Sequence, residues 1–297
     1  MLNTLSRPMY WKSPPIDHLR SMLEASTLMA TLPWGVTFER IEFEKFDAEW
    51  LTPKNADGEK VLLYIHGGGY VIGSTHTHRA LAGKIAKGIS AKCLLINYRK
   101  APENKFPAAL KYVYFAYTHL LGEGYKPENV VIVGDSAGGG LAVALQLELV
   151  ADDIGLPLCS VLLSPYLDLT GKGKSIKRNA GNDRFLDAFE MRRWAELYAG
   201  DHDLSDPLIS PLFGNFSGLS PILVQVSESE VLYNDSTRFV AKAKKHEVNI
   251  TFQKWHGLFH WWHMFGGMPE AKEAIEKSIL FIKEKYQSKR SIQRSVR

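Results

Sequence analysis

Val130-Val131-Ile132-Val133-Gly134-Asp135-Ser136-Ala137-Gly138 runs from four apolar β-formers into a serine bracketed by glycines, and after Gly139 and Gly140 the stretch Leu141 to Val150 takes up a helical period. The order is strand, tight turn, helix, with Ser136 at the apex. Gly134 and Gly138 lack side chains, so they permit the strained backbone that would lift the Ser136 hydroxyl above a sheet as a nucleophile. A glycine-rich turn between strand and helix can also cradle a phosphate, but neither G-x-G-x-x-G nor G-x-x-x-x-G-K-[ST] occurs here. The serine turn points to acyl chemistry, whereas an ordinary tight turn would demand nothing further of the chain. Only the acyl reading requires a base, an acid and oxyanion donors elsewhere.

Working outward, strand-like segments recur at Val61 to Ile65, Cys93 to Tyr98, Val130 to Val133, Val161 to Leu163, Ile222 to Val226 and Ile250 to Trp255. The stretches between them are long enough for crossover helices, and continuous apolar runs suit strands buried on both faces. A mostly parallel sheet covered by helices on each side follows. Val36 to Phe43 alternates apolar and charged residues and begins the sheet with antiparallel strands. Two regions break the rhythm. Residues 1 to about 45 hold an apolar stripe, Leu19, Met22, Leu23 and Met29, behind an aromatic pair, Tyr10 and Trp11. From about Gly171 to Pro211 a polar, glycine-bearing stretch turns helical, with Phe185, Leu186, Phe189, Trp194, Leu197 and Tyr198 on one side. These could cap the carboxyl edge of the sheet, where open α/β sheets place ligands, or simply pack on the core.

The 297 residues, 45% hydrophobic and 23% charged, suffice for one large domain. No apolar run approaches the ~18 residues of a membrane span, and the start, Met1 to Pro8, lacks a basic region followed by an apolar one. Cys93 and Cys159 sit in apolar strand-like runs and read as small buried hydrophobes rather than a disulfide, so a cytoplasmic location is expected. The net charge of +4 is concentrated at the end of the chain, where Lys283, Lys285, Lys289, Arg290, Arg294 and Arg297 face only Glu284. Such a tail reads as a solvated terminus, and no nucleic-acid partner is assigned to it.

A serine hydroxyl needs a base, and the base an acid that fixes its tautomer. Acyl chemistry at this serine therefore needs a histidine and an Asp or Glu, and two later loops offer candidates. After Ile222 to Val226 come Glu228, Glu230 and Asp235, and after Ile250 to Trp255 come His256, His260 and His263. The three histidines also have spacings a metal could use, but no carboxylate or cysteine lies beside them in sequence, and no metal is assigned. His76 and His78 read as loop or helix-entry residues. Oxyanion donors are best supplied by unobstructed backbone amides, and Val61 to Ile65 ends in His66-Gly67-Gly68-Gly69-Tyr70.

Together these motifs resemble the hormone-sensitive-lipase-like (bacterial type IV) esterases of the α/β-hydrolase superfamily. The resemblance rests on His66-Gly67-Gly68-Gly69, on Tyr98 to Glu103 with Phe106-Pro107-Ala108-Ala109, on Gly134-Asp135-Ser136-Ala137-Gly138, on Ser164 to Leu169, and on the acid and histidine loops, and it spans most of the chain. It implies a single α/β-hydrolase domain over 1–297, with an eight-stranded sheet flanked by helices and a helical cap from about 1–45 and about 171–211. It implies Ser136 as nucleophile, His260 as base and Glu230 as acid, although many members have aspartate there and Asp235 and Glu228 are lesser candidates. The oxyanion amides map to Gly67, Gly68 and Ala137. The implied activity is a cofactor-free hydrolysis of short- to medium-chain carboxylic esters through an acyl-enzyme. The implied partners are a small-molecule ester and, along a sheet edge, a second copy of the chain. Amide, acetyl or lactone hydrolysis would use the same residues. A ligand receptor on this fold would lack the histidine.

Overall fold

A computed structural model describes residues 14–27, 30–43, 47–183 and 185–295, with side chains as far as Lys289. The aromatic pair Tyr10 and Trp11, Met29 and the terminal Arg297 lie outside what is described, as do residues 1–13 and 44–45 of the segment 1–45, and of Arg290 and Arg294 only the backbone is described.

Beginning with α1 (Ile16–Ser26), the chain enters β1 (Val36–Glu42), β2 (Asp47–Pro53) and β3 (Asp57–Ile65). Then α2 (Thr75–Ile89), β4 (Ala91–Asn97), α3 (Ala108–Gly122), β5 (Val130–Asp135), α4 (Ala137–Ala151) and β6 (Cys159–Leu163) alternate. Two helices follow without a strand between them, α5 (Lys174–Arg178) and α6 (Ala188–Ala199), before β7 (Ile222–Ser227), α7 (Tyr233–Lys245), β8 (Ile250–Trp255) and α8 (Pro269–Ser295). The eight strands form one sheet in the order β1-β2-β4-β3-β5-β6-β7-β8. β1 with β2 and β2 with β4 are antiparallel; the remaining pairs are parallel.

Residue alternation explains how the sheet is covered. In β3, Val61, Leu63 and Ile65 face one hydrophobic core while Leu62 and Tyr64 face another, and β5 divides likewise between Val130 and Ile132 on one side and Val131 and Val133 on the other. On the first face α3 contributes Leu110, Val113 and Tyr117, and α4 contributes Leu141, Leu145 and Leu149. On the second, α2 contributes Leu81, Ile85 and Ile89, and α8 contributes Ile275, Ile282 and Tyr286. Strands read as uninterrupted apolar runs are thus buried from both sides, as parallel strands must be.

Two expectations about irregular segments are corrected. In α1, Leu19 and Leu23 pack against the core but Met22 is 56% exposed. In the segment after β6, the supposed single apolar side divides: Tyr198 is buried, whereas Phe185 and Phe189, at 52% and 64%, face solvent. Here α6 buries Met191, Ala195 and Tyr198, a stripe at spacings of four and three that leaves Phe189 on the outer surface.

Candidate active site

β5 delivers Ser136 to the carboxyl edge of the sheet, where the chain must reverse into α4 within a residue. Ser136 adopts φ 51°, ψ −119°, a region that L-residues rarely occupy. Its amide bonds to Leu163 O at 2.9 Å, and its carbonyl accepts from Tyr166 N at 2.9 Å and Gly140 N at 3.1 Å. The flanking glycines are sterically required. A Cβ at Gly134 would meet the Gly138 carbonyl, and one at Gly138 would meet the Ile65 carbonyl. The turn is therefore pressed against the end of β3.

Two later loops supply its partners. Ser136 Oγ lies 2.9 Å from His260 Nε2, and His260 Nδ1 lies 2.8 Å from Glu230 Oε2. Glu230 Oε1 accepts hydrogen bonds from Ser164 Oγ and Ser227 N, each at 2.8 Å, and from Trp262 Nε1 at 3.2 Å. All three members are buried. Burial is the largest influence on His260 and favours its neutral form, but the hydrogen bond and charge of Glu230, with the charges of Asp183 and Asp135, outweigh it and leave the imidazole pKa raised.

Other residues of the two loops lie elsewhere. Glu228 pairs at the surface with Lys254 at 2.8 Å and His256 at 2.7 Å. Asp235 Oδ2 accepts the amides of Leu167 at 3.0 Å and Asp168 at 2.9 Å. His263 is buried and stacked on Trp262, and desolvation holds its pKa down at about 3. The three imidazoles of the loop thus do not converge, and among the described residues no group of His, Cys, Asp or Glu could hold a metal ion.

Gly67 requires a correction. Its amide, expected to face the oxyanion, donates to Asp135 Oδ1 at 3.1 Å, and one N–H cannot serve both acceptors. Gly68 and Gly69, by contrast, line the cavity over Ser136 together with His260. Ala137, the first residue of α4, has one of the amides that a helix start leaves without an intrahelical partner.

Asp135 itself is the main residue whose role sequence reasoning missed. It is buried and also accepts Tyr64 Oη at 3.0 Å and Trp261 Nε1 at 2.9 Å, with His78 Nε2 at 3.3 Å. Burial alone would raise its pKa, but the charge and hydrogen bond of His78, with help from His66 and Trp261, bring it to about 2. His78 is therefore more than a helix-entry residue. Its position inside the serine motif was the available signal for Asp135. Asp183 gave none: from a polar loop before α6, its Oδ1 accepts His260 N at 3.1 Å and its Oδ2 accepts Val231 N at 3.2 Å. Asn179 Nδ2 adds bonds to the carbonyls of Glu228 at 2.8 Å and Glu230 at 2.7 Å.

Above Ser136 is a cavity of about 70 Å³, walled by Ile72, Tyr166, Leu186, Met191 and Trp194. The Trp194 ring lies where a Cβ on Gly69 would be, so α6 rests directly on the glycine loop. A larger cleft, about 440 Å³, opens among Lys92, Tyr125, Lys126 and Lys289 at the amino ends of β3 and β4, away from these groups.

A family model described as alpha/beta hydrolase fold matches residues 62–264. An acetyl-hydrolase of Streptomyces hygroscopicus is 39% identical over 237 residues, covering 80% of this chain and 79% of that protein. An ethyl acetate hydrolase of Pseudomonas putida is 29% identical, covering 74% and 71%. Among solved structures, the esterase EstE5 superposes with a TM-score of 0.90 at 35% identity over 93% of each chain. An esterase of the bacterial hormone-sensitive lipase family does so with 0.89 at 35%, again over 93% of each. On the sheet, the serine turn and these likenesses together, the chain belongs to the α/β-hydrolase fold family, among its bacterial hormone-sensitive-lipase-like esterases, and is a carboxylic ester hydrolase.

Proposed function

We propose that the chain hydrolyses esters of short carboxylic acids through an acyl-enzyme on Ser136, with His260 as the proton carrier and Glu230 as its orienting acid. The observation that carries this reading is the unbroken relay from Ser136 Oγ to His260 Nε2 at 2.9 Å and from His260 Nδ1 to Glu230 Oε2 at 2.8 Å. As Oγ attacks the ester carbonyl its proton passes to Nε2, and the carbonyl oxygen becomes an oxyanion. The amides of Gly68, Gly69 and Ala137 stabilise that charge. His260 then gives its proton to the departing alkoxide, leaving an acyl-serine. A water molecule, deprotonated by the same imidazole, attacks the acyl carbon; collapse of the second intermediate returns the proton to Ser136 and releases the acid. Fluorophosphonate labelling read by intact mass tests the assignment: one adduct on the wild type and none on Ser136→Ala is expected, and equal labelling of both would overturn it.

The short-acyl preference is supported by the cavity of about 70 Å³, well under the ~300 Å³ at which drug-sized pockets begin. It agrees with the small acyl group in the names of the acetyl-hydrolase and ethyl acetate hydrolase relatives. The segment from about 171 to 211 acts as a cap in this reading, since Leu186, Met191 and Trp194 close the cavity. Support for the N-terminal part comes from Arg20, which bonds to the carbonyls of Val71 and Ala101 at 2.9 Å and to Glu103 at 2.8 Å. The homodimer is proposed along β8, which ends the sheet with an open edge; elution at monomer mass at micromolar concentration would refute it. No described helix is long and apolar enough to cross a membrane. Cytoplasmic residence is proposed because both thiols are buried and unpaired, as a reducing compartment leaves them.

A further inference from the structure

The two arms of the ester meet different surroundings, and the chemistry of proton transfer decides which is which. His260 Nε2 must place its proton on the leaving oxygen, so the alcohol arm departs on the His260 side of the reacting carbon. On that side the neighbouring Phe259 stacks on Phe185, with centroids 4.8 Å apart and planes at 23°. Phe265 meets both rings edge-on, at 5.5 Å from Phe185 and 5.2 Å from Phe259. Phe185 also lines the reaction cavity together with Ser136 and His260. The cluster is thus continuous with the site. It is also unusually wet: Phe185 is 52% and Phe265 41% exposed, although burying such rings is the ordinary way to stabilise a fold. Exposed contiguous aromatic surface at the mouth of a ligand cavity is a recognition surface. Tyr166 and Met191, which are buried, and Trp194 line the same cavity.

We infer that Phe185, Phe259 and Phe265 form a subsite for the alcohol arm, with Tyr166, Met191 and Trp194 left to the acyl arm, so that the preferred substrates are short-acyl esters of aromatic or bulky apolar alcohols. This rests on the esterase mechanism proposed above and adds to it the identity of the leaving group. Aromatic rings offer faces and edges to a flat partner, and a subsite formed by several of them favours an arene over an alkyl chain of equal length.

The test compares ethyl acetate with 2-phenylethyl acetate, whose leaving alkoxides are similarly basic, so that a difference in kcat/KM reports recognition rather than reactivity. Wild type should favour the phenylethyl ester by about tenfold, and Phe185→Ala and Phe265→Ala should each lower that ratio severalfold. Because the readout is a ratio, a general loss of rate does not mimic the effect, and thermal melting checks that both variants fold. Ethyl phenylacetate, which carries the ring on the acyl side, should be no better than ethyl acetate. A phenylethyl ratio unchanged in both variants, or equal preference for a ring on either arm, would overturn the inference while leaving the esterase reading intact. Absence of hydrolysis of every ester, with no fluorophosphonate adduct, would remove the esterase reading and this inference with it. Unchanged ratios accompanied by loss of self-association in Phe265→Ala would give the cluster to a second copy of the chain instead.

Discussion

At the scale of single residues, the relay makes separable predictions. Glu230→Gln should lower kcat by about three to four orders of magnitude, because the amide no longer stabilises the imidazolium. Asp235→Asn should change it only severalfold, since Asp235 bonds to the amides of Leu167 and Asp168 rather than to His260. A crippled Asp235→Asn beside a near-silent Glu230→Gln would reverse the assignment. The pH profile gives an independent check. His260 acts as a base only when neutral, and its pKa is raised, so the acid limb of kcat/KM should lie above the ordinary histidine value of about 6.5. Removing Glu230 removes the largest raising influence, leaving only the charges of Asp183 and Asp135, so the residual activity of Glu230→Gln should show that limb displaced to lower pH. Ser136, Glu230 and His260 were all legible as types at strand ends, and residue reasoning narrowed them to a short set. Gly67 was misread because the fate of its amide depends on Asp135, sixty-eight positions away, which no local pattern encodes.

At the scale of elements, the strands that run unbroken through apolar residues were readable to within a few positions: β8 was found at its observed limits, Ile250 to Trp255, and β7 only one residue short. β2 was not located, because Asp47-Ala48-Glu49-Trp50-Leu51-Thr52-Pro53 mixes charge and proline into a strand whose Glu49 is nonetheless buried against Arg79. The least legible element was the loop between α5 and α6, where Asp183 and Asn179 hold the acid and histidine loops in place. Asp183→Ala would leave two buried amides, of Val231 and His260, without acceptors, so it should cost about 1–3 kcal/mol in urea denaturation and also lower kcat. A loss of stability with full kcat would reduce Asp183 to a folding role. Helix α6 sets the other prediction. Trp194→Ala should enlarge the cavity and raise octanoate relative to acetate kcat/KM by about tenfold or more, measured with a p-nitrophenyl ester series. An unaltered chain-length profile would show that another residue sets the limit.

For the molecule as a whole, two buried aspartates impose opposite dependences of stability on pH. Asp135 has a folded pKa of about 2, below the unfolded value near 3.9, so its contribution is present above about pH 4 and is lost as pH falls towards 2. Asp235 has its pKa raised to about 7, chiefly by burial and further by the Asp168 charge, against the lowering effect of the Leu167 and Asp168 amides and Arg238. The folded state therefore holds a proton that the unfolded chain has already released, and this contribution, complete below about pH 4, is lost as pH rises through 7. Stability should peak in mildly acid solution. Asp235→Asn, which keeps an acceptor for the two amides, should flatten the decline between pH 5 and 8 in urea midpoints; an identical decline in wild type and variant would locate its cause elsewhere. The packing of Gly134 and Gly138 against neighbouring carbonyls divides the molecule in a different respect. The floor of the site has no room for even one added carbon, so substitution there is closed to selection and to the engineer alike. Four of the wall residues, Phe185, Leu186, Met191 and Trp194, come from one short segment outside the sheet. New substrate ranges can arise by exchanging that segment while the reacting groups stay as they are.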